Sequence, residues 1–118
     1  MAIAPMSTSE ALALARLRQW CYDRLQLNGA RTVDYQRHGW QQRNSATFDA
    51  RLVRVIDFER AMSTLNADEQ AALILTHRDR ERAHRVAIAL RCSERKLSYL
   101  LQNARRKLAH TLDRLDLL

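Results

Sequence analysis

Glycine and proline are almost missing from this chain, with two glycines and one proline in 118 residues. Such a supply leaves little material for sheet corners, tight turns or a phosphate-cradling loop, while Ala, Leu, Arg and Gln, all good helix formers, dominate. An all-α fold is the expectation. Cysteine is also scarce. Cys21 and Cys92 stand far apart with no CxxC pair, which excludes a disulfide framework and argues for a reduced, cytoplasmic protein. No apolar run approaches the ~20 residues of a spanning helix, and no basic stretch followed by a long apolar one opens the chain, so a membrane protein is set aside. Lysine is nearly absent, only Lys96 and Lys107, the other basic side chains being arginine. Arginine suits bidentate contacts to phosphate and guanine, although a GC-rich genome also raises its frequency.

What is present is basic charge. Twenty Lys and Arg stand against 13 Asp and Glu, a formal charge of +7 with a pI near 10.4, which points to an anionic partner, nucleic acid before a membrane surface. The length suffices for one core but not two, so residues 1–118 are read as a single domain: an N-terminal helix and long loop over 1–46, and a helical part over 47–118.

The pattern along the chain predicts about five helices. Ser7 with Glu10 has capping-box spacing, and Leu12, Leu14, Leu17, Trp20, Cys21, Tyr22 and Leu25 follow with a helical period, giving a first helix over 8–27 that Asn28-Gly29 would close. From Ala30 to Ala46 the periodicity vanishes, which reads as a long connection pinned by Val33, Tyr35 and Trp40. Thr47 would cap a second helix over 47–65 carrying Phe48, Leu52, Val55, Ile56, Glu59, Met62 and Leu65. Asn66 caps a third over 67–77, with Asp68 and Glu69 suited to its positive end. The Arg78-Asp79-Arg80-Glu81-Arg82 run reads as a solvated turn or helix end. The expected core is Leu17, Trp20, Leu52, Val55, Ile56, Leu75, Val86, Ala87, Leu90, Leu97, Leu100 and Leu101.

The segment after 82 has the grammar of a helix-turn-helix at about 82–108. It combines a small residue where two helices touch (Ala87), an apolar residue closing the first (Leu90) and an apolar turn residue (Cys92). A cap (Ser93) then starts the second helix, with apolar residues at intervals of three and four to seat it. Helices over 82–90 and 94–114 follow. If Leu97, Leu100, Leu101 and Ala104 seat the second, its outward residues include Arg95, Lys96, Ser98, Tyr99, Gln102, Asn103, Arg105 and Arg106. Together with Arg91 and Ser93 of the turn they form the candidate DNA-contacting set. Arg95, Lys96, Tyr99 and Gln102 would reach base edges or phosphates, and Arg105 and Arg106 the backbone.

These residues carry a family resemblance. Residues 65–112 resemble region 4 of bacterial sigma factors. Leu65-Asn66-Ala67-Asp68-Glu69-Gln70 is similar to that region's opening, Arg85-Val86-Ala87 stands in the place of Glu-Ile-Ala, and Leu90-Arg91-Cys92-Ser93 in the place of Leu-Gly-Val-Ser. Ala104-Arg105-Arg106-Lys107-Leu108 matches its close. Arg91 occupies the usual turn glycine and Arg82 the usual cap, so either Arg91 takes a left-handed conformation, at roughly 1 kcal/mol, or the turn has another shape. No sigma region 2 precedes it. The layout resembles small phage transcription regulators, the late antitermination proteins of the Q type and the ArpU- and RinA-like activators. The resemblance implies a regulator that binds double-stranded DNA and acts on RNA polymerase. The 30–46 segment with the first helix is not needed to complete a helix-turn-helix and carries Arg31, Arg37 and Arg43, so it is either the polymerase-facing surface or merely a cover for the core.

Other chemistry finds little support. His38, His77, His84 and His110 are dispersed, so no metal site is expected. Neither a Ser-His-Asp set, a phosphate loop nor HExxH occurs, and Asp57 with Glu59 reads as a solvated or salt-bridged pair, so neither an enzyme nor a cofactor is expected. Trp20 and Trp40 read as core rather than base-stacking groups. Leu108, Leu112, Leu115, Leu117 and Leu118 make an apolar tail that either packs on the first helix or forms a dimer contact, which leaves a homodimer open. The alternatives to a regulator are a small-terminase-like assembly subunit, in which the DNA module would not ordinarily come last, and a helix-turn-helix interaction domain that does not read DNA.

Overall fold

The computed structural model describes residues 6–34 and 38–118, with side chains outside the 28–46 stretch. It is all-helical, with no strand among the described residues: α1 (Thr8–Asp34), α2 (His38–Met62), α3 (Ala67–Leu73) running into a π-helical turn (Ile74–Arg78), α4 (Ala83–Ala89) and α5 (Glu94–Arg114).

The local start signals operate as their chemistry demands. Glu10 N–H donates to Ser7 Oγ at 3.2 Å and Ser7 N–H to Glu10 Oε2 at 2.9 Å, so two of the orphan donors at the start of α1 are satisfied reciprocally. The Ser7 backbone N–H is the main reason the Glu10 carboxyl lies below its ordinary range. Asn66 and Glu69 repeat the device at α3, at 2.8 and 3.1 Å. Glu69 is buried, and Lys107 of α5 reaches in to its two oxygens at 2.9 and 3.1 Å. One carboxylate therefore caps α3 and ties it to α5.

Helix lengths depart from expectation. α1 continues through Asn28-Gly29 to Asp34, and α2 begins at His38 rather than at Thr47, so the described residues 30–34 and 38–46 are helical where a long connection was expected. Asn and Gly permit a left-handed stop without imposing one. A mid-helix glycine costs only about 1 kcal/mol, and the Ala, Arg and Gln around it favour continuation. Loss of apolar periodicity reports loss of a buried stripe, not loss of helix. α2 also ends at Met62, short of Leu65, and the α-helical hydrogen bonding of α3 yields after Leu73 to the wider π-turn. Tyr35 and Arg37 lie outside the described residues, as do the side chains of Arg31, Val33, His38, Trp40 and Arg43.

Two apolar clusters hold the helices together. The larger joins Ala13, Leu14 and Leu17 of α1, Phe58, Ala61 and Met62 of α2, Leu65, Leu73, and Ala104, Leu108, Ala109 and Leu112 of α5. The smaller joins Ala72, Val86, Ala87 and Leu97, with Leu75, Leu90, Cys92 and Leu100 packed against it. Leu101 touches both, so α5 is the common spine. Leu52 and Ile56, expected inside, are 39% and 49% exposed. At 100° per residue the buried face of α2 is centred on Val55, Phe58 and Met62, and Leu52 and Ile56 fall off its side. Trp20 packs on the larger cluster, stacked on Phe58 at 5.6 Å between ring centroids. Leu117 and Leu118 pack against the same cluster, so the end of the tail closes on its own chain, while Leu115 is left 40% exposed.

Candidate nucleic-acid interface

α4 and α5 are joined by a turn whose hydrogen bonds explain its shape. Cys92 N–H donates to Ala87 O at 2.9 Å and Arg91 N–H to Ile88 O at 3.1 Å, the paired bonds of a Schellman stop, which require a left-handed residue between them. That residue is Arg91, with φ 55°. Ser93 then opens α5, its Oγ accepting the Lys96 N–H at 3.1 Å. Cys92 tucks under the turn against Val86, Ala87 and Leu97, and these small and branched side chains fix where α5 begins.

Burial of Leu97, Ala104, Leu108 and Leu112 along one side of α5 sets what the opposite side presents. Arg95, Lys96, Asn103 and Arg106 are exposed and Tyr99 is 44% exposed; they recur at intervals of three and four on the outward face. Arg91 and Ser93 are exposed at its N-terminal end. Ser98 and Gln102 are half-buried at its edge, and the Ser98 hydroxyl donates to Glu94 O at 3.2 Å.

Arg105 stands apart from this group. It is half-buried, with its Nε enclosed and without a hydrogen-bond partner among the described residues. It lies toward α1 and the π-turn, close enough that its charge adds to the lowering of Glu10 and His77. Burial is the larger cause at His77, whose imidazole is held below its ordinary value with Arg105 and Arg18 nearby. The Nε2 of His77 and the Oγ1 of Thr76 are likewise enclosed without partners among the described residues.

Sequence patterning overlooked the distribution of charge. Residues 78–107 hold ten Arg and Lys against three Asp and Glu, so the entire formal +7 sits there and the rest of the chain is balanced. Within this stretch Arg78 is paired to Asp79 at 2.9 Å and Lys107 to Glu69. Arg80, Arg82, Arg85, Arg91, Arg95, Lys96 and Arg106 are exposed without an ion-pair partner among the described residues. The signal was available as a running charge count, but Arg80, Arg82 and Arg85 precede the second helix and belong to no hydrophobic pattern. Outside this stretch some cations are engaged by acids: Arg54 clasps the buried Asp23 through Nε and Nη2, both at 3.0 Å, and Arg24 bonds Glu59.

Among the described residues no group of three or more His, Cys, Asp or Glu is placed to hold a metal ion, and no helix is long and apolar enough to cross a membrane. Comparison with protein-family models, with curated proteins and with solved structures finds no match for the chain.

Proposed function

We propose that this chain is a double-stranded-DNA-binding transcription regulator whose α4 and α5 act as a helix-turn-helix of the sigma region 4 type. The carrying observation is the confinement of the whole net charge to residues 78–107, where seven exposed cations, spread over the approach to α4, α4 itself, the turn and α5, have no ion-pair partner among the described residues. Neutralising phosphates releases condensed counterions, so such a cluster converts directly into affinity for a duplex. The outward stripe of α5 adds what charge alone lacks: Arg95 and Lys96 as donors to guanine, Asn103 for adenine, and Tyr99 for phosphate or a thymine methyl. In this reading Arg91, Arg80, Arg82 and Arg85 hold the backbone. Arg105, half-buried toward α1 and the π-turn, stands outside this exposed set.

Action on RNA polymerase belongs to the same proposal and rests on the resemblance of residues 65–112 to sigma region 4. The reading requires neither a catalytic step nor a cofactor, and it sets the protein in the cytoplasm of a bacterial or phage-infected cell. Its test is fluorescence anisotropy with duplexes selected from a random pool, across a salt series. Log affinity should fall linearly with log salt, and Arg95→Ala should cost about 1–3 kcal/mol on the selected site. Arg106→Ala should weaken all duplexes alike and reduce the salt slope by about 1. Unchanged duplex affinity in both variants at physiological salt would remove the assignment.

A further inference from the structure

α2 buries one side and leaves the other uncovered. Val55, Phe58 and Met62 face the core, while Asp49, Val53, Ile56 and Arg60 follow one another at steps of four, three and four residues and form one straight stripe on the far side. Val53 is 56% exposed and Ile56 49% exposed. Asp49 and Arg60 are exposed and have no ion-pair partner among the described residues. Isolated apolar side chains on a surface need no explanation, but this stripe has an internal order that solvent exposure does not require.

The order is that of a surface complementary to itself. An antiparallel second copy of α2, related by a two-fold axis passing between residues 54 and 55, sets Val53 against Ile56 of the other copy and Asp49 against its Arg60. Each contact then occurs twice, as a closed two-fold interface demands. The apolar pairs fall at the centre and the opposite charges at both ends, where water still reaches them. A partner of unrelated sequence would not require the acid and the base to stand at equal distances from the centre of the apolar pair. In the competing surface for self-association, the C-terminal leucines, Leu108, Leu112, Leu117 and Leu118 are already engaged within the chain, which leaves Leu115, 40% exposed, by itself.

We infer that two copies of this chain associate through the Asp49–Val53–Ile56–Arg60 stripe of α2, antiparallel about a two-fold axis. The inference goes beyond DNA reading and does not depend on it. If both hold, the dimer carries two copies of α5 related by the same axis, and the preferred duplex site has matching two-fold symmetry.

Sedimentation equilibrium of the full chain without DNA tests it. A single helix pair lies at the weak end of protein interfaces, so loading should extend to about 200 µM. The expected mass approaches twice 13.7 kDa as concentration rises. Asp49→Arg and Arg60→Asp, made singly, each oppose like charges at two places and should raise the dissociation constant roughly tenfold. The double reversal restores opposite charges and should return the constant to within about threefold of the parent. Ile56→Glu should give a monomer with unchanged helical circular dichroism, since Ile56 belongs to neither apolar cluster. A monomeric mass throughout, an assembly larger than two, or a double reversal no tighter than the single ones would overturn the inference. None of these results bears on duplex binding by the monomer.

Discussion

Arg91 shows how one residue can serve two opposed demands. Its left-handed backbone, φ 55°, is what the Schellman turn requires, and a side chain with a Cβ pays a conformational penalty there that glycine escapes. Arg91→Gly should therefore stabilise the fold by up to about 1 kcal/mol. The corresponding rise in melting temperature is a few degrees by differential scanning calorimetry, about 3–6 °C for a domain of this size. If the side chain holds DNA backbone, the same variant loses duplex affinity while gaining stability. A substitution that lowers both would mean that the arginine side chain supports the turn itself. Asp116, with φ 58° at the end of α5, makes the same stop with Leu117 N–H on Leu112 O at 2.8 Å, so the device is used twice.

At the scale of elements, α3 is too short to stand alone and depends on its cap and on α5. A seven-residue helix lies well under the length at which isolated helices persist. Glu69 supplies half of the capping box and the acceptor for Lys107, and it does so from a buried position. Glu69→Ala should lower stability by about 1–2 kcal/mol through loss of the cap, read as a lower urea midpoint. Lys107→Ala should cost less, because the lysine is 57% exposed and water screens its share of the pair. Equal losses from the two would show that the ion pair, rather than the cap, is what α3 needs.

At the scale of the whole molecule, α1 and α2 are joined by the larger apolar cluster and, beside it, by an electrostatic contact. Asp23 is fully buried, accepting both Arg54 bonds and one from Gln19 at 3.1 Å, with Arg51 at 4.0 Å. Burial alone would raise its pKa, but the Arg54 and Gln19 hydrogen bonds and the two guanidinium charges outweigh it and hold the carboxyl below its ordinary 3.8. A depressed carboxylate adds stability that is fully present above the unfolded value and lost as pH falls through the folded one. Asp23→Asn should therefore be less stable than the parent at pH 7 by about 1–2 kcal/mol, limited by the exposure of Arg54. The difference should close on acidification from about pH 5 to below the depressed value. Urea titrations of both proteins at each pH measure it; a gap that persists unchanged below pH 3 would mean that the asparagine disturbs packing instead.

The sequence by itself determined what is settled within one or two turns of chain. The Ser7–Glu10 and Asn66–Glu69 boxes, the Ser93 cap and the strained Arg91 depend on residues no more than five positions apart, so their chemistry is legible without any knowledge of what lies opposite. The all-helical class followed from composition for the same reason. The tertiary structure alone decided which faces met. Val55, Phe58 and Met62 face inward while Leu52 and Ile56 remain outside, because the larger cluster takes one arc of α2, and helical periodicity cannot say which arc when both are apolar. Arg105 turned toward α1 and the end of the leucine tail closed on its own chain because α5 packs against α1. That neighbour is far away in sequence and close only in the folded molecule.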